Sequence, residues 1–168
     1  LGGSMRVIDK SFKRHPIKYV FQCGLASLTM AAVLVFMDVL SHTAIIASLG
    51  ASFFIVFTMP KSYPSDPRRL IGGYIIGISI GGLCDLLSMW SLMASLVRSS
   101  HVMFGALAVG IAIFLMVITD TEHAPAAGIA LGLVINEWDH WTILFILGAV
   151  VFLSFVKRLL RSVLINLI

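Results

Sequence analysis

The chain has 168 residues, of which 59% are apolar and 12% charged, with a net charge of +4 and a mean hydropathy of +1.02. An average soluble domain carries roughly 25% charged residues. This composition therefore excludes an ordinary water-soluble domain and predicts an all-helical, polytopic membrane protein. The positive charge points to membrane topology and anionic headgroups, and nucleic acid is not an expected partner.

Leu1-Gly2-Gly3-Ser4 ahead of Met5 is expected to be a cloning scar. Residues 5–18, with Arg6, Lys10, Lys13, Arg14 and Lys18, then form a basic cytoplasmic segment leading into a single transmembrane domain. Uncharged runs place membrane segments at 19–37, 39–60, 70–84, 99–119, 123–136 and 140–156. About 20 helical residues cross a bilayer core. The third segment reaches that length only by continuing past Asp85 to Val97, and the fifth is short, either an incomplete span packed inside the protein or a re-entrant element. With six crossings and both ends cytoplasmic, eleven of the twelve basic residues fall inside and only Arg98 outside. The positive-inside rule favours that arrangement, in a bacterial inner (plasma) membrane.

Pro60, Pro64 and Pro67 predict a stiff cytoplasmic loop over residues 60–69. Residues 136–141, with Trp138 and Trp141, read as an outer turn at the interfacial belt. Cys23 and Cys84 fall in predicted spans and are expected to pack as small apolar residues. Two halves of three spans would insert with opposite orientation. That is the arithmetic of an inverted 3+3 repeat, and His42 and His123 each stand near the start of a small-residue-rich segment.

The residues that could carry chemistry gather in the second and fifth segments. Ser48, Gly50 and Ser52 lie in Ala47-Ser48-Leu49-Gly50-Ala51-Ser52 and would offer amides and hydroxyls to a small ligand if that helix is interrupted. The alternative is close helix packing. In Glu122-His123-Ala124-Pro125-Ala126-Ala127-Gly128, a titratable pair and a proline run into an apolar segment, where both are costly. Pro125 suits a first helical turn. The free amides of Ala126 and Ala127 would make a positive end for an anion, with His123 donating to it. The alternative is a simple helix start among headgroups.

Asp120 and Glu122 add negative charge that would favour the imidazolium form of His123 and oppose an anion. Arg68 would draw an anion to the cytoplasmic mouth, while Arg69 suits topological anchoring. Asp85, the deepest acid, could pair with a histidine, relay a proton or face the outer aqueous layer. His123 and Asp85 are thus the proton-coupling candidates. Gly50-Ala51-Ser52-Phe53 is a fragment of an intramembrane serine protease motif without its following glycine, and a distant histidine such as His101 would have to complete the dyad. No HExxH, paired cysteines or phosphate loop occurs, so no enzyme, metal or cofactor is expected.

Three stretches in order, Ala47-Ser48-Leu49-Gly50-Ala51-Ser52, Pro67-Arg68-Arg69-Leu70-Ile71-Gly72-Gly73 and His123-Ala124-Pro125-Ala126-Ala127-Gly128-Ile129-Ala130-Leu131, resemble the HPP family of integral membrane proteins. The chain departs from the family pattern at Ala124, where its His-Pro-Pro signature has proline. It departs again at Tyr74, where a histidine is expected after the paired glycines. The second change removes a candidate polar ligand. The family is described with fewer spans than the six counted, and some members are linked to nitrite transport.

The resemblance implies a permease for a small inorganic anion. Ser48, Gly50 and Ser52 would face His123, Pro125 and Gly128 across a midplane site. The expected partners are the anion, the bilayer and further copies of the chain. The competing reading is a non-transporting interaction or sensor protein whose glycine-rich spans mediate oligomerisation.

Overall fold

Among the described residues, proline stands in the first turn of three of six helices: Pro16 in α1 (Pro16–Leu34), Pro67 in α3 (Pro67–Trp90) and Pro125 in α5 (Ala124–Ile135). Its missing amide hydrogen forfeits no intrahelical bond there. The remaining helices are α2 (Thr43–Thr58), α4 (Val97–Ile118) and α6 (His140–Leu159). The computed structural model describes residues 16–35, 43–90 and 97–167, and among these there is no strand. The expected scar at 1–4, the basic residues Arg6 to Arg14, and His42 lie outside the described residues.

Every expected segment contains a helix, but the loop over 60–69 is shorter than expected. Asp66 Oδ1 accepts from the Arg68 amide at 2.8 Å, so Pro67-Arg68-Arg69 already forms the first turn of α3. What remains of the loop carries a 3₁₀ turn, Tyr63–Ser65.

Four helices, α1, α3, α4 and α6, are long and apolar enough to cross a membrane. With 16 and 12 residues, α2 and α5 reach only about 24 and 18 Å, against a hydrocarbon core of about 30 Å. Both run unbroken, so of the short or interrupted helices expected, the structure has short continuous ones. They hold the second and fifth places, as two three-helix halves would require.

The shortest helix is the most enclosed. α5 buries Pro125, Ala126, Ala127, Ile129, Ala130, Gly132, Leu133 and Val134, packed among α2, α3 and α4. Longer helices turn apolar residues outward, among them Phe21, Leu28, Phe114, Phe155 and Leu144. This is the pattern of a bundle whose solvent is lipid.

Close approaches set the directions of the core helices. Gly73, Gly77 and Gly81 of α3 meet His123, Ala126 and Ala130 in the same order, so α3 and α5 run parallel. Gly128 and Gly132 of α5 meet Ser48 and Ile45 in reverse order, so α5 is antiparallel to α2. Six alternating crossings require this. The Tyr19 hydroxyl donates to the Leu167 carbonyl, and the buried Gln22 amide donates to the carbonyls of Phe57 and Ile165. The start of α1 and the residues after α6 therefore meet at one end of the bundle. That end also carries Arg69, Lys157, Arg158 and Arg161.

Candidate functional site

Residues four apart on a helix share a face, so α2 presents Ser48 and Ser52 together toward α3 and α5. α3 brings Tyr74. His123 precedes α5 as its N-cap, with extended backbone (φ −142°, ψ 99°), and its ring makes no capping bond. The ring is therefore available to span the core. Ser52 Oγ lies 2.7 Å from His123 Nε2 and 2.7 Å from the Tyr74 hydroxyl. His123 Nδ1 lies 2.9 Å from the Pro64 carbonyl of the 3₁₀ turn. Relative exposure is 0% for Ser52, 0% for Tyr74 and 1% for His123.

The hydrogens of this cluster can be placed by elimination. A carbonyl only accepts, so His123 Nδ1 carries a proton and donates to Pro64. In the neutral imidazole Nε2 then accepts from the Ser52 hydroxyl, and Ser52 in turn accepts from Tyr74. A proton added at Nε2 would reverse one bond without breaking the Pro64 contact. Ser52 would then accept from Nε2–H, and its own hydrogen would be free to turn toward the Ser48 carbonyl at 3.3 Å or toward a ligand. Ser52 lies six residues from the end of α2 and Tyr74 seven from the start of α3. That puts the cluster about 10 Å from the basic end, shallower than the expected midplane.

The structure brings together some of the expected site residues and separates others. Ser52 and His123 touch. Ser48 borders the cluster through its carbonyl, 3.3 Å from the Tyr74 hydroxyl, while its own hydroxyl donates to the Ala44 carbonyl at 3.0 Å. Gly128 admits Ser48, since a Cβ there would lie 2.3 Å from Ser48 Oγ. Pro125 is buried and opens α5 as expected. Gly50 is directed elsewhere, with nothing within 4 Å of its Cβ position. Residues two apart on a helix do not share a face.

Arg68 is exposed at the basic end. The Ala126 amide is not free, because it donates to the His123 carbonyl at 2.9 Å. Asp85 is eleven residues beyond Tyr74 along α3, about 16 Å away, and accepts from Trp138 Nε1 at 3.0 Å. His101 Nδ1 donates to the Val134 carbonyl at 2.9 Å. His123 and Asp85 therefore belong to different ends of the bundle.

Two members of the cluster were not anticipated. Tyr74 was expected to be a lost ligand, yet its hydroxyl bonds Ser52. The available signal was a tyrosine amid Gly72, Gly73 and Gly77, since a buried phenol needs a partner. The Pro64 carbonyl gives no side-chain signal at all.

Asp120 and Glu122 do not act on His123 as expected, because Arg69 takes them. Its guanidinium meets Asp120 Oδ2 and Glu122 Oε2 at 2.8 Å each and stacks 3.1 Å over the Tyr63 ring. The Tyr63 hydroxyl donates to Asp120 Oδ1 at 2.6 Å and lies 3.0 Å from Glu122 Oε2. Asp120 adopts a left-handed backbone (φ 56°), where glycine is usual. It sits at the end of α4, where Thr121 N bonds the Met116 carbonyl and Asp120 N the Val117 carbonyl, the Schellman pattern. A glycine would suit this backbone but could not hold Arg69.

The Tyr63 and Arg69 hydrogen bonds hold the Asp120 carboxyl below its ordinary value of 3.8. Donation to Asp120 pushes the Tyr63 hydroxyl up to about 12. A depressed carboxylate stabilises the fold above its ordinary pKa and loses that contribution as the pH falls through the folded value. A raised phenol loses its contribution only above its ordinary 10.0. Thermal melts should accordingly show no slope from this cluster between those limits and a loss on the acid side. Asp120→Asn, which tolerates the left-handed backbone, should flatten that acid-side loss. An unchanged acid slope would remove the cluster's role.

Among the described residues no three His, Cys, Asp or Glu side chains group to hold a metal. Residues 12–168 match the family described as HPP, transmembrane region. A transmembrane protein of Dictyostelium discoideum is 26% identical over 162 residues, covering 92% of this chain and 55% of its own length. Another from the same organism is 26% identical over 122 residues, covering 73% of this chain and 37% of its own. The chain thus spans about half or less of the curated relatives it matches. No solved structure matches it. With nearly its whole length matched, the chain belongs to the HPP family of integral membrane proteins.

Proposed function

We propose that the protein transports a small inorganic anion of the nitrite type, with Ser52, Tyr74 and His123 as the polar step of its path. The observation that carries this reading is the hydroxyl–imidazole cluster held at 2.7 Å contacts inside an apolar bundle. Buried polar groups are costly unless paired, and here three of them pair only among themselves and with backbone. Two hydroxyls and an imidazole can donate to a desolvated anion. Protonation of His123 at Nε2 frees the Ser52 hydrogen to do so and cancels the anion's charge. The step is therefore read as anion–proton cotransport, and the Asp85 end has no assigned part in it. The basic end is read as cytoplasmic from the positive-inside rule, with a bacterial inner membrane as the proposed setting.

Part of the glycine content is used inside the chain, while Gly24, Gly50, Gly110 and Gly148 meet nothing within 4 Å. Gly73, Gly77, Gly81, Gly128 and Gly132 admit neighbours within this chain. Hydrolysis is not part of the proposal, because the serine motif at Ser52 lacks the glycine that should follow it. A liposome flux screen over nitrite, nitrate, formate, bicarbonate and chloride at two pH values tests the reading. The expected outcome is selective uptake of one small anion that accelerates on the acid side. No flux for any of the five would contradict it.

A further inference from the structure

At the basic end, a cavity of about 770 Å³ opens between the 3₁₀-turn loop and the end of α6. Lys61, Lys157, Arg158 and Arg161 line it together with Asp66, Leu164 and two prolines. Four cations face one carboxylate, and that carboxylate already accepts from the Arg68 amide. Lys157 Nζ bonds the Ser65 carbonyl and lies 3.0 Å from Ser65 Oγ, which fixes it as the inner wall. Among the described residues, the side chains of Lys61, Arg158 and Arg161 make no ion pair. The helix dipole accounts for basic residues in the last turn of α6, Lys157 and Arg158. It does not account for Lys61, which comes from another element and faces the same space.

We propose that this cavity binds the phosphate-bearing headgroup of an anionic phospholipid. Size decides against the transported ion as its occupant. Ligand sites of about 300–1,000 Å³ suit drug-sized molecules, far more than nitrite fills. Guanidinium forks match a phosphodiester. The half-buried Pro67 and the aliphatic stems of Lys61, Arg158 and Arg161 give the glycerol stem an apolar edge, and the cavity lies where membrane-length α6 ends. The site is separate from the buried cluster. The 3₁₀ turn stands between them, with Pro64 directed to His123 and Ser65 to Lys157.

Native mass spectrometry of the delipidated protein in detergent, titrated with phosphatidylglycerol, phosphatidylcholine or inorganic phosphate, tests this. The expected result is preferential retention of phosphatidylglycerol. R158Q/R161Q should weaken it about 30-fold and K61Q about 5-fold, at roughly one surface-level cation each. Lys18→Gln, an exposed cation outside the cavity, should leave binding unchanged. All these side chains are exposed, so the variants should fold, and an unshifted thermal melt checks that they do. Equal retention of phosphatidylcholine, an unaffected R158Q/R161Q, or displacement by inorganic phosphate at equal concentration would each overturn the proposal. None of these readouts depends on transport.

Discussion

Gly77→Ala should destabilise the bundle by about 1–3 kcal/mol, the usual range for overpacking a filled core, whereas Gly110→Ala should be neutral or stabilising. Both glycines sit inside long apolar helices, so helix propensity alone would favour alanine at either by up to about 1 kcal/mol. Their surroundings differ. A Cβ on Gly77 would lie 2.3 Å from the Ala126 carbonyl oxygen and 3.2 Å from its carbon, while one on Gly110 meets nothing within 4 Å. The atoms opposing Gly77 are backbone, which has no rotamer to yield. Relief requires moving α3 away from α5, and that in turn pulls Gly81 from Ala130 and Gly73 from His123. Thermal melts in detergent check the pair. A Gly77→Ala midpoint at or above that of the parent would show that the close approach of α3 and α5 is not what holds the central helix.

The second large effect concerns His123. His123→Ala should reduce anion uptake to the level of empty liposomes while the protein still folds. The substitution strips partners from the Pro64 carbonyl and from Ser52, a loss of about 1–3 kcal/mol against a total stability of about 5–15 kcal/mol. Ser52 can still bond Tyr74 and the Ser48 carbonyl. His123→Gln separates structure from chemistry. Its amide can donate to Pro64 and accept from Ser52, so the fold should be kept. It cannot take up a proton, so any flux that survives should lose its acceleration in acid.

Much of the architecture was legible because membrane segments announce themselves through uncharged runs, and the six helices among the described residues lie where such runs fall. The four-residue spacing of Ser48 and Ser52 and the His123–Pro125 helix start were readable for the same reason: helix periodicity and proline chemistry are local. Gly50 falls on a different face from Ser48 and Ser52, which composition does not reveal, because a small residue in a small-residue stretch says nothing about which face it occupies. The Tyr74 hydroxyl, the Pro64 carbonyl and the capture of Asp120 and Glu122 by Arg69 depend on packing between distant parts of the chain. Asp120 is instructive here. Its left-handed backbone favours glycine, and the carboxylate is present because Arg69 on another helix takes it.

Nitrite influx into proteoliposomes, measured for the parent, His123→Gln and His123→Ala at acidic and neutral pH, bears most directly on the buried cluster as an anion path. The account predicts parent uptake that is faster in acid, a pH-independent remnant or less for the glutamine variant, and none for the alanine variant. Parent uptake no faster than that of empty liposomes, or full uptake by a folded His123→Ala protein, would contradict it.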